Sequence, residues 1–396
     1  MTSRLRELSR RDAGILAPDM IPLGSVTFLL FGGLLVIAGA SGDALARDLE
    51  LTLDQLGLTG ATIMLGIAAG VVASGPVVDR WPRRPAMVGG AALAALGLVT
   101  IDSSIGYGRL LGQLALAGFG AGFVETLINA ATIERYGERA ARPVTLLHTA
   151  ATLGAVLAPF AVGALNQTSF TGSFRALGLG WAAIAICSAA VPFDAPQRAS
   201  GVATPLSMRS PALLLLCAAT FIYVGVESSL TLFALPWASD GLALDPVRGR
   251  RAISALWLGM LLGRLVVASR SKAGMHWIAN GSMAASLLLG LALVGGLRQP
   301  ELLLGALGVL LAGCFPLLVT LTGQRFAEAP GTAVGLVVGI GSVGGFTLPA
   351  VTGAIGERLD VTAAMASLVA WCLALAATAV VVQRLQRPTP GAHSQR

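Results

Sequence analysis

Apolar residues in this chain come in long blocks, not in alternation. A helix needs about 20 apolar residues to cross the hydrocarbon core of a bilayer. Twelve blocks of that order follow one another: 23–41, 57–78, 86–104, 109–133, 144–165, 174–193, 211–236, 251–269, 275–297, 300–323, 331–353 and 361–383. The breaks between them hold the turn-forming and charged residues, as in "DRWPRRP", "ERYGERAARP", "RSKAG" and "QRFAEAPG". The pattern predicts an all-α integral membrane protein of twelve transmembrane helices. The longest polar break, "FDAPQRASGVATPLSMRSP", divides six spans from six. It sets an N-terminal bundle over residues 1–193, a linker over 194–210, and a C-terminal bundle with its tail over 211–396.

The two halves echo each other at a fixed offset of 190 residues. Gly154, Pro159 and Gly163 in the fifth span repeat as Gly344, Pro349 and Gly353 in the eleventh. Arg135 and Glu138 repeat as Arg325 and Glu328, and Arg80 falls on Arg270. Three separate regions agree on one offset, so the halves read as a duplication. Two parallel repeats with a midplane cavity between them are a transporter architecture. Small residues in spans 5 and 11 let helices approach closely, and Pro159 and Pro349 allow them to bend.

Composition agrees. Apolar residues make up 55% of the chain and charged residues 12%, against about 25% charged in a soluble domain. The net charge of +7 matters less than its placement. Lys272 is the only lysine, and the arginines sit mostly in the breaks. With the N-terminus inside, the inner breaks and both tails hold 19 of the 27 Lys and Arg, and the outer breaks the other 8. By the positive-inside rule both termini are cytoplasmic, in a plasma membrane of bacterial type. No basic stripe points to nucleic acid. Cys187, Cys217, Cys314 and Cys372 lie in apolar runs without metal spacing and read as fillers. The tail "MTSRLRELSRRD" reads as a basic cytosolic segment and not as a cleaved signal peptide.

The second break, "GPVVDRWPRRP", places Gly75, Asp79, Arg80, Arg83 and Arg84 together at a helix end. A carboxylate there can pair with arginines or cap the next helix, and such a pairing can hold a bundle interface in one state. These residues resemble the G-x-x-x-D-R-x-G-R-R loop of the major facilitator superfamily, with Pro82 where that family has Gly. The resemblance runs over residues 23–384 and implies its fold, two pseudo-symmetric six-helix bundles that work by alternating access. "GFGAGFVETLINA", "LLHTAATLGAVLAPFAVGAL" and "YVGVESSLTLFALPW" are similar to the fourth, fifth and seventh spans of the fucose-permease-like sugar/proton symporters. Unlike that branch, the first span has no acid until Asp43, near its outer end. Arg264 and Arg270, after span 8, look like a degraded second copy of the loop motif.

The intramembrane polar residues are the candidate site. Glu125 and Asn129 are four apart on span 4 and share a helical face. A charge at the bilayer centre costs roughly 2.5–3.5 kcal/mol on insertion scales, and such residues mark functional sites. A Glu lowers that cost by taking up a proton, which makes it a proton carrier; the bland reading is a hydrogen bond to a neighbouring helix. Glu227 on span 7 is the matching acid of the other half, with Tyr223 one turn before it. His148 at the start of span 5 is a proton relay or a structural residue. Trp237, near the outer end of span 7, is an interface anchor or a cover for the cavity.

The expected function is secondary transport of a small organic solute by a monomer that uses protons and needs no cofactor or metal. No enzyme constellation and no G-x-x-x-x-G-K-[ST] loop occurs. Proton-coupled symport of a sugar-like solute is the first reading. Proton-driven export of an amphipathic compound is the alternative, and a non-transporting receptor or lipid scramblase a third.

Overall fold

The structure is a computed structural model and describes residues 21–80, 82–136, 141–190, 210–268, 274–326 and 330–386. Within these stretches the side chains of 75–80, 133, 134, 141, 142, 145, 268, 330–332 and 386 are outside the description. The polar break that separates the halves, up to residue 209, lies outside the described residues, together with Glu138, Arg270 and Glu328.

The chain is all helical among the described residues. The first half contains α1 (Ile21–Ala40), a short α2 (Gly42–Leu49), α3 (Leu53–Arg80), α4 (Arg83–Val99), α5 (Tyr107–Tyr136), α6 (Ala141–Leu165) and α7 (Thr171–Ala190). The second contains α8 (Pro211–Pro236), α9 (Pro246–Ala268), α10 (Met275–Val294), α11 (Pro300–Leu311), α12 (Cys314–Arg325), α13 (Pro330–Arg358) and α14 (Val361–Gln386). These fill the twelve expected spans, because α2 is an extra amphipathic piece and α11 with α12 form one span broken at residues 312 and 313. Among the described residues, ten spans are long and apolar enough to cross a membrane on those grounds alone. Of the remaining two, α4 has 17 residues, and α9 opens with Arg248, Arg250 and Arg251.

Local chemistry sets several helix ends. Thr52 precedes α3, and its N–H donates to the Gln55 side chain at 3.1 Å, half of a capping box. Pro211 opens α8, where its missing N–H costs nothing. The far end of α8 widens into a π turn over Trp237–Gly241, closed by the Leu242 N–H on the Trp237 carbonyl at 3.0 Å. At the end of α2, Asp48 accepts the Phe170 N–H at 3.0 Å and so ties α2 to the loop before α7. Burial pushes the Asp48 carboxyl up, but its bonds to Arg47 and to the Phe170 N–H outweigh this and hold it below its ordinary value.

Packing follows a two-fold repeat. In the first half α1 packs on α6, α3 on α5, and α4 on α7. In the second, α8 packs on α13, α9 on α11, and α10 on α14. Both sets join the first span of a half to its fifth, the second to the fourth, and the third to the sixth. Across the halves, α3 packs on α13 and α6 on α9. A two-fold operation exchanges these two contacts, since each joins the second span of one half to the fifth of the other. The repeated glycines are part of the same symmetry. A Cβ on Gly154 would lie 1.9 Å from the Leu29 carbonyl oxygen, and one on Gly344 would lie 2.0 Å from that of Phe221. Only glycine permits these approaches of backbone to backbone.

The halves seal against each other at the end that carries Asp43. Arg250 Nη1 donates to Asp43 Oδ2 at 2.8 Å, and the Leu53 N–H donates to Glu357 Oε2 at 3.0 Å. Gly57 faces the Pro349 carbonyl, Gly353 faces the Leu53 carbonyl, and Gly163 faces Arg250 Nε. Three of the residues expected to serve helix packing therefore meet the opposite half, while Gly154 and Gly344 pack within their own. Pro159 and Pro349 are both buried inside continuous helices, α6 and α13.

The motif loop lies at the other end. α3 runs through Gly75, Asp79 and Arg80, whose side chains fall outside the description. Pro82 stands before α4, where Arg83 is buried and Arg84 exposed.

Candidate functional site

Beneath the Asp43 seal the two halves line a cavity of about 150 Å³. Glu125 of α5 and Glu227 of α8 both line it, one from each half. His148 and Thr152 of α6 add polar groups from the first half, and Arg264 of α9 adds one from the second. The walls are otherwise largely apolar, with Phe31, Met64, Ile67, Val224 and Phe315 among them. Trp257 also reaches the cavity, and its buried Nε1 has no hydrogen-bond partner among the described residues.

The two acids have different surroundings. Glu227 Oε1 accepts the Tyr223 hydroxyl at 2.8 Å, and Arg264 Nη2 stands 3.9 Å from the same oxygen. Tyr223 is fully buried behind Glu227 and does not itself line the cavity. Because the two residues are four apart on α8, helical geometry puts them on one face, and the phenol orients the carboxylate. Glu125 has no hydrogen bond or ion pair among the described residues. The His148 ring packs edge-on against Phe28, with centroids 5.1 Å apart. Thr152 donates to the His148 carbonyl at 3.0 Å and accepts from Arg264 Nη1 at 2.9 Å.

Besides Tyr223, two expected site residues stand outside the cavity. Asn129 is half-buried one turn beyond Glu125, and its Oδ1 has no partner among the described residues. Trp237 is neither an interface anchor nor a cover for the cavity. It is buried to 1% exposure in the π turn, packed close to Gly241.

Arg264 requires a correction of another kind. It does not belong to a loop after span 8. α9 continues to Ala268, and the guanidinium of Arg264 enters the cavity from within the helix. It reaches across the halves to Thr152, as Ser254 does to the Val156 carbonyl at 2.8 Å. The signal was present in "LGMLLGRLVVAS", where apolar residues continue beyond the arginine. The hydroxyls of Ser228, Thr231 and Ser342 also line the cavity; serine and threonine are common in apolar spans and carry no sequence signal of their own.

Chemically, the cavity holds two carboxyl groups and an imidazole able to exchange protons, one permanent cation, and several hydroxyls. The described residues contain no group of three or more His, Cys, Asp or Glu placed to hold a metal ion. The Major Facilitator Superfamily family model matches residues 23–349. Comparison of the sequence with curated proteins returned no match. Among solved structures, the chain is similar to a bacterial homologue of the human lysosomal transporter Spinster in an inward-facing, occupied conformation. That likeness has a TM-score of 0.77 at 14% identity, covering 94% of this chain and 98% of the other. It is also similar to a mutant form of the nucleoside transporter NupG, with a TM-score of 0.74 at 14% identity over 92% and 98% of the two chains. A D-xylose–proton symporter has a TM-score of 0.73 at 13% identity over 91% and 96%. At these identities the likeness concerns the fold.

Proposed function

The chain belongs to the major facilitator superfamily, whose members are carriers of small solutes and not enzymes, and from that premise we propose that it moves a small organic solute together with protons by alternating access. The observation that carries the proposal is the pairing of Glu125 and Glu227, one from each half, on a single cavity beneath a seal between the halves. A proton bound at either acid changes the charge that the opposing walls present to each other. Protonation thus bears on how the halves sit, which is the requirement for coupling.

The direction we assign is uptake by symport, with a sugar-like, hydroxyl-bearing solute meeting Thr152, Ser228, Thr231 and Ser342. The Asp43 end then faces the outside, both termini face the cytoplasm, and 194–210 links the two bundles. The motif residues Gly75, Asp79, Arg80, Arg83 and Arg84 act at the cytoplasmic end. The apolar walls favour one second reading, proton-driven export of an amphipathic compound.

Proteoliposomes under an imposed pH gradient separate the two. Symport predicts that adding solute makes the medium on its own side more alkaline, and that the gradient drives accumulation. Export predicts proton movement opposite to solute. Solute flux indifferent to the gradient would remove proton coupling altogether.

A further inference from the structure

Arg264 lines the cavity with a guanidinium, which offers N–H donors in a planar fork suited to carboxylate and phosphate oxygens. Its guanidinium is sparsely engaged. Nη1 donates to the neutral Thr152 hydroxyl at 2.9 Å, and Nε is buried with no partner among the described residues. Nη2 lies 3.9 Å from Glu227 Oε1, at the outer limit of an ion pair, and that oxygen already accepts the Tyr223 hydroxyl at 2.8 Å. Glu227 therefore faces Arg264 as a counter-charge without closing its fork. An arginine held this way between apolar walls, at a junction of both halves, is arranged to receive an anion.

We propose that the transported solute carries a carboxylate that docks on the guanidinium of Arg264, which makes its class a hydroxylated monocarboxylate of the sugar-acid type. This rests on the transport reading above and narrows it. The chemistry balances simply. While Glu227 is ionised it neutralises Arg264. When Glu227 takes a proton from water, the guanidinium loses its counter-charge, and the solute carboxylate replaces it. The proton and the anion then enter together, with no net charge moved for each pair. The wall residues Phe31, Ile67 and Trp257 receive the body of the solute, and Ser228 and Thr231 meet its hydroxyls.

The charged and titratable groups around Arg264 come from few elements. Glu125 comes from α5, His148 from α6, and Glu227 with Tyr223 from α8. Cys314, at the start of α12, lies near Glu227. The lining residues of α1, α3 and α13 bring no charge. Protonation of Glu125, Glu227 or His148 makes the cavity more positive in every case. Binding of an anion therefore strengthens as pH falls.

The test uses the full chain in lipid nanodiscs and matched probes that differ in charge: gluconate against glucose, shikimate against its methyl ester, and benzoate against benzamide. Binding is read by thermal shift and by tryptophan fluorescence between pH 5.5 and 8, with Trp257→Phe identifying the contribution of the cavity tryptophan. The expected result is that at least one acid binds, that its neutral partner binds at least tenfold more weakly, and that the preference grows toward low pH. Arg264→Gln should abolish the preference, Arg264→Lys should keep part of it, and Glu227→Gln should flatten its pH dependence. Because Arg264→Gln removes a contact between the halves and can fail to fold, the wild-type comparison of acid with neutral probe stands by itself. Neutral probes binding as tightly as the acids, no acid binding at all, or a preference that survives Arg264→Gln would each overturn the proposal. Acid binding without proton movement in liposomes would leave the Arg264 site standing and remove the coupling. Gradient-driven flux of a neutral solute, unaffected by acids, would do the reverse.

Discussion

At Glu125 a carboxyl group faces the cavity with neither a cation nor a hydrogen-bond donor on it among the described residues, in a span where a charge costs roughly 2.5–3.5 kcal/mol. A residue so placed and so poorly supported suits a role in which it exchanges its proton. Glu125→Gln retains the shape and removes the titration. We expect gradient-driven accumulation of solute to fall at least tenfold in proteoliposomes, while exchange of labelled for unlabelled solute continues. An accumulation rate equal to wild type would place the coupling elsewhere. Glu125 and Glu227 were both legible in the sequence because an acid in an apolar run stands out, whatever the fold. Arg264 stands in an apolar run as well, but the positive-inside rule places arginines at helix ends, and one that turns inward departs from it. Trp237 misled for the opposite reason: aromatic residues at span ends sit at interfaces, over cavities or in cores, and only the local turn decides between them.

Among the elements, α6 and α13 show how much the duplication alone could reveal. Their glycines recur at one offset, and the structure gives Gly154 and Gly344 the same task, the close approach of the fifth span to the first in each half. The sequence could not show that Gly163 and Gly353, from the same repeat, would meet the opposite half, since the offset relates positions within halves and says nothing about contact across them. Nor could it place the break at residues 312 and 313, which interrupts a helix without interrupting the apolar run, or the π turn at Trp237–Gly241, which extends α8 into the polar residues Ser239 and Asp240. α13 also supplies its own control. A Cβ on Gly344 meets the Phe221 carbonyl at 2.0 Å, whereas one on Gly339 meets nothing within 4 Å. Gly344→Ala must push α13 from α8, at a cost of about 1–3 kcal/mol. Gly339→Ala instead gains helix propensity, up to about 1 kcal/mol. Thermal unfolding of the purified protein should therefore rank Gly339→Ala at or above wild type and Gly344→Ala well below it. Equal melting temperatures for the two variants would mean that the approach of α13 to α8 is not tight in the working protein.

For the molecule as a whole, alternating access requires that the seal at the Asp43 end open and close. Among the described residues the seal contains one ion pair that joins the halves, Arg250 Nη1 to Asp43 Oδ2 at 2.8 Å, with side chains 15% and 24% exposed. Gly163 beside Arg250 leaves room for the guanidinium, with a Cβ placed there only 3.0 Å from Nε. A partly buried, charge-assisted contact of this kind contributes about 1–2 kcal/mol, and about 1.4 kcal/mol changes a two-state ratio tenfold. Asp43→Asn should therefore raise the population open at this end by roughly that factor. The measurement is labelling of Ser228→Cys in the cavity by an impermeant maleimide applied from the Asp43 side, with the four native cysteines replaced by alanine. Arg250→Asp should act in the same direction, and the swap of Asp43→Arg with Arg250→Asp should return labelling toward the starting rate, since the two positions interact directly. If both single variants label at the wild-type rate, the pair holds nothing closed, and the seal must rest on the packing of Gly57 and Gly353 across the halves. If the swap labels as fast as either single variant, the effect belongs to local disruption and not to the attraction between the two charges.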